Sequence, residues 1–297
     1  MSAYRHAYLV FSHQNPAQLE RLLRLLDDPS NDIYLHIDPL SRGYNRPRLQ
    51  ASVQKGNLIL FSLQHLGWGS ETLIDGIVAL LREAVKTDHL YYHLLSGLDL
   101  PLQSQAKIHH YFEKNTGLEF VDFGSENIPE SLLADRLQTY HLVQNYREIH
   151  PIYKPVDRFL LKVQKKAGVN RLKNVDLPFQ KGSLWFSITH EFACYCVEQA
   201  VRIRPYFRYS KCGDELFFQT LLLNSPFLER RAVQTYNDNR ATMRFIDWDR
   251  GNGSSPYVFR ADDFDEIMES GMLFARKFDE QIDATIVDRI TSHVLSE

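Results

Sequence analysis

The stretch His6-Ala7-Tyr8-Leu9-Val10-Phe11-Ser12-His13-Gln14-Asn15-Pro16 decides the fold class. Its mostly apolar first half predicts a buried strand, and its polar second half predicts a loop. Pro16 suits the first turn of a helix. The leucines that follow share one helical face: Leu19, Leu22, Leu23 and Leu26. A buried strand followed by an amphipathic helix is the repeating unit of a parallel α/β sheet.

The alternation of strands and helices continues to about residue 120. Further strands are predicted at 33–38, 57–61, 89–95 and 118–121, and helices are predicted to begin at Ser70 and near Ser104. This order predicts a Rossmann-like, mostly parallel sheet flanked by helices. Ligands of such sheets bind beyond the carboxyl ends of the strands. We therefore expect three strand ends to meet at one site: Phe11-Ser12, Asp38, and Ser96 to Asp99.

Composition and small motifs exclude several classes of protein. The 297 residues are 44% hydrophobic and 24% charged, as in ordinary globular proteins, and the net charge of −3 gives no support for a nucleic-acid partner. Neither a Gly-x-Gly-x-x-Gly nor a Gly-x-x-x-x-Gly-Lys loop is present, so a dinucleotide or P-loop site is not expected. The start of the chain, residues 1–6, is not typical of a signal peptide. These features favour a cytoplasmic location.

The segment 147–173 is rich in basic residues, with apolar side chains such as Phe159 among them. Two interpretations stay open. The segment is either a solvated helix with a few buried contacts or a basic amphipathic face for an anionic membrane or an anionic acceptor. The second interpretation predicts peripheral contact with the inner face of a membrane.

A pair of carboxylates, Asp214-Glu215, opens a predicted helix that continues into the apolar run 216–223. The positive end of a helix dipole favours an ionised carboxylate at this place. Glu215 is therefore suited to accept a proton, although both acids are equally able to serve only the helix start. Upstream, 182–188 is strand-like and Thr189 is a candidate cap for the next helix. The stretch 273–279 is predicted to be helical.

Six stretches, in this order along the chain, resemble one known family, the core-2/I-branching N-acetylglucosaminyltransferases and peptide O-xylosyltransferases of glycosyltransferase family 14. Each stretch is short, but their common order makes the resemblance specific. The short chain is similar to bacterial members of the family. The matching stretches are Tyr34-Leu35-His36-Ile37-Asp38, Trp68-Gly69-Ser70, Leu95-Ser96-Gly97-Leu98-Asp99-Leu100-Pro101, Gly182-Ser183-Leu184-Trp185-Phe186, Asp214-Glu215 and Phe274-Ala275-Arg276-Lys277-Phe278.

The resemblance implies a type A glycosyltransferase fold in a single domain, 1–297. Its nucleotide-binding half would be 1–123, and its acceptor and catalytic half would be 124–297. Glu215 matches the family's catalytic base. The positions that match contacts to the nucleotide and its diphosphate are Val10, Asp38, Leu66, Gly67, Trp68, Ser255, Arg276 and Lys277. The positions that match the acceptor and donor-sugar side are Asp99, Ser183, Trp185 and Asp214.

The chemistry of sugar transfer agrees with these roles. Positive charge develops on the anomeric carbon, and negative charge develops on the leaving diphosphate. A hydroxyl acceptor needs a base, and Glu215 fits that need. At the place where many type A enzymes carry a metal-binding Asp-x-Asp, this chain offers only Asp99. Arg276 and Lys277 could supply the charge instead, as in the family's metal-independent members, so the resemblance implies that no metal or other cofactor is required.

The predicted function is an inverting glycosyltransferase of polysaccharide biosynthesis. It would move a sugar, GlcNAc or xylose first among the candidates, from a UDP-sugar to a hydroxyl of a glycan or lipid-linked glycan, forming a β-linkage. Two alternatives stay open: a metal-dependent type A glycosyltransferase of another family, and a non-catalytic nucleotide- or carbohydrate-binding protein. The family's usual basic residue after Asp38 is Pro39 here. The sequence assigns no role to Arg244, Arg260 or 125–180.

Overall fold

The protein is described by a computed structural model that covers residues 5–147, 149–253 and 255–297. The strands are β1 His6–Ser12, β2 Asn31–Ile37, β3 Asn57–Phe61, β4 Tyr91–Ser96, β5 Leu100–Pro101, β6 Phe120–Val121, β7 Phe186–Thr189, β8 Arg244–Ile246 and β9 Phe274–Arg276. The helices are α1 Pro16–Leu25, α2 Arg46–Ala51, α3 Glu71–Ala84, α4 Gln105–Lys114, α5 Glu130–Leu133, α6 Tyr153–Lys166, α7 His190–Phe207, α8 Asp214–Leu223, α9 Phe264–Glu269 and α10 Ala284–Ser296.

The central sheet has six strands in the order β3-β2-β1-β4-β7-β6. The strands β1 to β4 run parallel, and β7 runs antiparallel to both of its neighbours. The prediction of a mostly parallel α/β sheet is confirmed. Because β7 comes from beyond residue 123 and lies between β4 and β6, both predicted halves of the chain contribute to one sheet. A second, three-stranded sheet has the order β5-β9-β8.

Helices cover both faces of the central sheet. Tyr8 and Val10 of β1 pack into one buried cluster with residues of α1, α4 and α10. The alternate residues Ala7 and Leu9 pack into a second cluster with residues of α3, α7 and α8. This alternation is the period of two that a strand imposes. The flanking helices predicted from the sequence are therefore present on both sides.

The predicted helix starts are largely correct. The side chain of Ser70 caps α3, and that of Thr189 caps α7 by accepting from the N–H of Phe192. Helix α8 begins at Asp214 as predicted, but its N-cap is Gly213, which makes no side-chain cap. In the part of the chain that the structure describes, no helix has the length and hydropathy needed to cross a membrane. Residues 1–4 of the predicted cytoplasmic start lie outside the described residues.

The helix predicted over 273–279 is wrong. Phe274–Arg276 is strand β9, which pairs antiparallel with β5 and parallel with β8. Residues such as Phe, Ala, Arg and Lys tolerate a helix, but pairing with two distant segments overrides that local preference. The last helix is instead α10, which the side chain of Asp283 caps.

Candidate active site

The carboxyl ends of the parallel strands meet, as expected. The N–H of Asp38 donates to the carbonyl of Ser12 over 2.9 Å, and the N–H of Gly97 donates to the carbonyl of Phe11 over 2.8 Å. A Cβ at position 97 would lie 2.5 Å from Oγ of Ser12, so the close approach requires glycine. These contacts form the floor of the candidate site.

Asp38 is buried at the end of β2 and fixes the loop that follows β3. Its Oδ2 accepts from the N–H of Leu66 over 3.0 Å and from Nδ1 of His65 at 2.8 Å, while Oδ1 accepts from the N–H of Leu40. Burial works against its charge, but these donors outweigh burial and hold the pKa of Asp38 below its usual value. The carboxylate therefore positions Leu66, Gly67 and Trp68.

A second set of contacts fixes the same loop from the other side. The N–H of Gly67 donates to Oδ1 of Asn145 over 3.1 Å, and a Cβ at 67 would lie 2.9 Å from the Cα of Asn145. The carbonyl of Gly69 accepts from the N–H of Cys212 over 2.6 Å, which ties the loop to the start of α8. Between these anchors the Trp68 side chain is 56% exposed. Its ring is available to a ligand.

Glu215 lies in the first turn of α8 with a partly exposed carboxylate. Its Oε2 accepts from Nη1 of Arg136 over 2.6 Å and lies 3.6 Å from Nζ of Lys181. The neighbouring Asp214 is buried, and its Oδ1 has no hydrogen-bond partner among the described residues. Burial, helped by the charge of Glu215, raises the pKa of Asp214 to about 7. The two adjacent carboxyl groups thus have different environments, which suits different roles.

The segment 181–185 passes directly beside Glu215. The N–H of Gly182 donates to the backbone carbonyl of Glu215 over 3.0 Å. The N–H of Ser183 donates to Oδ2 of Asp122 over 3.0 Å, and its carbonyl accepts from Nε2 of Gln219 over 2.6 Å. The predicted strand here begins only at Phe186, so Ser183 and the half-buried Trp185 lie in the loop before β7.

Arg276 lies between Trp185 and Asp99. The centre of its guanidinium is 3.9 Å from the centroid of the Trp185 ring, and its Nε is 3.5 Å from Oδ1 of Asp99. The pairing of Leu100 with Ala275 across β5 and β9 brings Asp99 and Arg276 together. Burial raises the pKa of Asp99, although the charge of Arg276 opposes that rise. Nε and Nη1 of Arg276 form no hydrogen bond to any described residue.

Lys277 follows Arg276 and is half-buried. Its Nζ donates to Oγ of Ser255 over 3.4 Å. Burial, with the charge of Arg276, lowers the pKa of Lys277. The backbone is held on both sides, since the N–H of Phe259 donates to the carbonyl of Lys277 and the N–H of Phe278 donates to that of Leu98, each over 3.0 Å. The predicted residues Ser255, Arg276 and Lys277 therefore lie together.

The charges on both sides of the site act on His13. The residue lies exposed in the loop after β1, and its pKa is lowered, first by desolvation. The negative charge of Asp38 raises that pKa, while the positive charges of Lys277 and Arg276 lower it. His13 is therefore within electrostatic reach of the loop held by Asp38 and of the basic pair. A single histidine in a loop gave no sequence signal for this position.

Val10 lies below this rim, inside the core. The strand continues to Ser12, and Val10 is wholly buried two residues earlier, paired with Leu35 on one side and Leu95 on the other. Its side chain belongs to the hydrophobic core.

The two unassigned arginines have different surroundings. Arg244 is wholly buried and donates to the carbonyls of Leu94 and Phe186 over 3.0 and 2.7 Å, so it joins β4, β7 and β8. Burial lowers the pKa of Arg244 to about 9. Arg260 is exposed, and its backbone N–H donates to Oδ2 of Asp263.

The described residues include no cluster of three or more His, Cys, Asp or Glu side chains suited to a metal ion. Two Asp-x-Asp sequences occur late in the chain, at 247–249 and 263–265, and they share a structural partner. Arg250 pairs with Asp247, and its Nη1 donates to Oδ1 of Asp263 over 2.6 Å. These ion pairs hold the loop around residue 250 in place.

The sequence missed the residues that position Glu215 and the loop after β3. Arg136 and Asn145 come from the segment 125–180, to which no role was assigned, and Lys181 adjoins it. Arg136 lies 79 residues from Glu215 in sequence, so no local pattern could have joined them.

A profile described as "Branch: Core-2/I-Branching enzyme" matches residues 6–268. Xylosyltransferase 1 of Rattus norvegicus is 22% identical over 98% of this chain and 35% of its own length. Beta-glucuronosyltransferase GlcAT14B of Arabidopsis thaliana is 24% identical over 98% of this chain and 66% of its own length. The chain thus spans about a third of the length of the xylosyltransferase that it matches.

The chain also matches the solved structure of mouse xyloside xylosyltransferase 1 in its apo form. It is 13% identical, covers 91% of this chain and 96% of its own, and superposes with a TM-score of 0.39.

Proposed function

Because the chain belongs to the Core-2/I-branching enzyme family, we propose that it is an inverting glycosyltransferase that moves a sugar from a UDP-sugar to a hydroxyl group of a glycan. The family predicted from six short stretches is confirmed by the match over residues 6–268. The relatives named above are a xylosyltransferase and a glucuronosyltransferase, which agrees with the predicted class of enzyme.

One observation carries the proposal. The segment 181–185 contacts Glu215 at one end, through the N–H of Gly182, and Arg276 at the other, through the ring of Trp185. A partly exposed carboxylate and the arginine of the basic pair therefore flank the same short loop. Transfer from a nucleotide sugar needs a base for the acceptor and positive charge for the leaving group, held at a fixed separation.

The proposed reaction is a single displacement. The acceptor hydroxyl oxygen forms a bond to the anomeric carbon while the bond from that carbon to the diphosphate oxygen breaks. Glu215 takes the proton of the hydroxyl, and UDP leaves with the electron pair of the broken bond. Attack from the face opposite the diphosphate inverts the anomeric centre, so an α-linked UDP-sugar gives a β-linkage. Arg136 and Lys181 hold the Glu215 carboxylate in place during this step.

Arg276 and Lys277 are proposed to balance the charge of the diphosphate without a metal. The Arg276 side chain is 12% exposed, and its charge is countered only partly by Asp99 at 3.5 Å, so its accessible part would attract phosphate oxygens. Lys277 and Ser255 lie together beside it and offer an ammonium and a hydroxyl. Asp99, which the resemblance placed on the acceptor and donor-sugar side, is proposed instead to position Arg276.

The loop held by Asp38 is proposed to contact the nucleotide. Trp68 presents an exposed ring there, and Leu66 and Gly67 shape the backbone next to it. The donor sugar is proposed to be xylose or GlcNAc, with xylose supported by the name of the relative. A glycan or lipid-linked glycan acceptor and a cytoplasmic location belong to the same proposal.

Substitution of the base tests the proposal. Glu215→Gln keeps the shape of the side chain but cannot accept the proton, so we expect transfer to fall at least about a hundredfold while UDP still binds. Glu191→Gln, in the first turn of α7, is the matched control and should retain activity. Full transfer by Glu215→Gln would remove Glu215 as the base.

The same assay separates the two alternatives. Transfer that EDTA abolishes would favour a metal-dependent enzyme of another family. UDP binding with no turnover of any donor, even by water, would favour a non-catalytic binding protein.

A further inference from the structure

Exposed apolar side chains are concentrated in one short segment. Of fifteen large hydrophobic residues that are exposed in the described ranges, eight lie between 140 and 163. A globular protein rarely gathers exposed apolar surface in one place unless something covers it. The eight are Tyr140, Leu142, Tyr146, Ile149, Ile152, Val156, Phe159 and Val163.

Helix α6 carries the regular part of this surface. With about 100° between successive residues, the spacings of four, three and four residues place one stripe along the helix. We call it the apolar stripe; it consists of Ile152, Val156, Phe159 and Val163, which are 57%, 38%, 65% and 47% exposed.

A second exposed face adjoins this stripe. We call it the basic band, and all of its side chains are exposed. Its members Lys162 and Lys166 lie directly beside Phe159 on the helical projection. The band consists of Arg158, Lys162 and Lys166; Lys154 and Lys165 are also exposed but project from the side opposite the apolar stripe.

The remaining face attaches α6 to the protein without using the stripe. Asp157 is buried and lies 3.6 Å from Nη1 of Arg147. The side-chain amide of Gln164 bonds both the N–H and the carbonyl of Tyr140, over 2.7 and 2.8 Å. Because these contacts hold the helix, the apolar stripe is not needed for the fold of the chain.

The charges identify the kind of surface that fits. The chain as a whole has a net charge of −3, yet the basic band has three cations, and the only acid within α6 is the buried Asp157. Apolar side chains next to lysines and arginines on one short helix suit the headgroup boundary of an anionic bilayer. We propose that α6 docks the protein on an anionic lipid bilayer, with the apolar stripe inserted and the basic band at the headgroups.

The docking face is coupled to the candidate site. Residues just before α6 bind the loop after β3 through Asn145, and Arg136 binds Glu215. A bilayer held by α6 would therefore lie beside the segment that positions the proposed base. On the proposed function, this selects a lipid-linked glycan as the acceptor; the docking itself does not depend on that function.

Vesicle flotation of the full chain tests the docking. One set of vesicles is phosphatidylcholine alone, and the other contains about 30% phosphatidylglycerol. We expect flotation with the anionic vesicles, at least about tenfold weaker binding to the neutral ones, and loss of binding near 0.5 M salt, where charges are screened. Equal binding to both sets, or no flotation with either, would overturn the proposal.

Two double variants test the two faces separately. Val156→Ser/Phe159→Ser removes the centre of the apolar stripe, and Lys162→Glu/Lys166→Glu reverses part of the basic band. Each should weaken anionic-vesicle binding about tenfold or more. The matched controls, exposed residues on other helices, are Val201→Ser on α7 and Lys114→Glu at the end of α4. Variants that float like the controls would contradict the docking.

Two further readouts distinguish the causes of a failure. Loss of a concentration-dependent dimer in Val156→Ser/Phe159→Ser, with no vesicle binding by the wild type, would show that a second copy covers the stripe. UDP titration of every variant separates this proposal from the proposed function. Vesicle binding without UDP binding would keep the docking and reject the donor, whereas unchanged UDP affinity with lost flotation is the result we expect.

Discussion

The guanidinium of Arg276 stacks on the ring of Trp185, with its centre 3.9 Å from the ring centroid. The aromatic face attracts the cation without using any of its N–H groups. Oδ1 of Asp99 lies 3.5 Å from Nε of Arg276. Burial raises the pKa of Asp99, while the charge of Arg276 opposes that rise. Arg276 is thus oriented by two neighbours, with Nε and Nη1 left without hydrogen-bond partners among the described residues.

Replacing Trp185 should weaken the binding of UDP. Trp185→Leu removes the ring that orients Arg276, and we expect the Kd for UDP to rise about tenfold. Trp185→Phe keeps an aromatic face and should show a smaller rise. Calorimetric titration measures both, and equal affinities for the wild type and Trp185→Leu would show that the stacking has no role in binding.

Replacing Arg136 should slow transfer and leave UDP binding unchanged. Arg136 donates to the Glu215 carboxylate over 2.6 Å, and a misplaced base reduces the rate of the chemical step. For Arg136→Gln we expect kcat to fall about tenfold to a hundredfold. Lys211→Gln, which breaks a nearby ion pair with Asp135, is the control. A drop in UDP affinity alone would place Arg136 on the donor side instead.

Replacing Trp68 tests the nucleotide-binding loop. The side chain is 56% exposed, so Trp68→Ala should leave the melting temperature within about one degree and still raise the Kd for UDP several-fold. Trp248→Ala removes another exposed tryptophan, 47% accessible, and should bind UDP normally. Identical UDP affinities for the two variants would remove Trp68 from the donor site.

Asp214 predicts a pH-dependent effect on stability. Its pKa is raised to about 7 by burial and by Glu215, well above the value of about 4 in an unfolded chain. The folded state therefore binds the extra proton between about pH 4 and 7. The contribution of Asp214 to the free energy of unfolding is therefore largest below about pH 4, and it is lost as the pH rises through 7.

Asp214→Asn removes that dependence. The variant should be more stable than the wild type at pH 8, by up to roughly 4 kcal/mol, with the difference vanishing near pH 4. Urea unfolding at both pH values measures it, and the exposed Asp249→Asn should show no such change. An Asp214→Asn variant that is less stable than the wild type at pH 8 would mean that the carboxylate is stabilised in its charged form.

The sequence predicted the sheet where strand and helix patterns alternate. The strand 57–61 was placed with its observed ends, and Ser70 and Thr189 cap helices as expected. In these segments local pattern and tertiary packing agree, so the pattern is sufficient. The failure at 273–279 has the opposite cause, because only pairing with β5 and β8 makes Phe274–Arg276 a strand.

The candidate site was partly predictable. Glu215, Asp38 and the basic pair lie in short motifs at the ends of elements, and the strand order brings those ends together. Arg136, Lys181 and His13 act through distant partners and carry no local pattern. Val10 was assigned to the nucleotide site but lies in the core. The sequence of a central strand does not indicate which of its apolar residues lies at the carboxyl end of the sheet.

Calorimetric titration of UDP in EDTA, with the wild type and Lys277→Ala, tests the central claim most directly. We expect metal-free binding by the wild type and a Kd at least about tenfold higher for the variant, since the lost ammonium pairs with a phosphate. Lys114→Ala, an exposed lysine on α4, should bind like the wild type. Binding that requires Mn²⁺, or an unchanged Kd for Lys277→Ala, would contradict a diphosphate site built from Arg276 and Lys277.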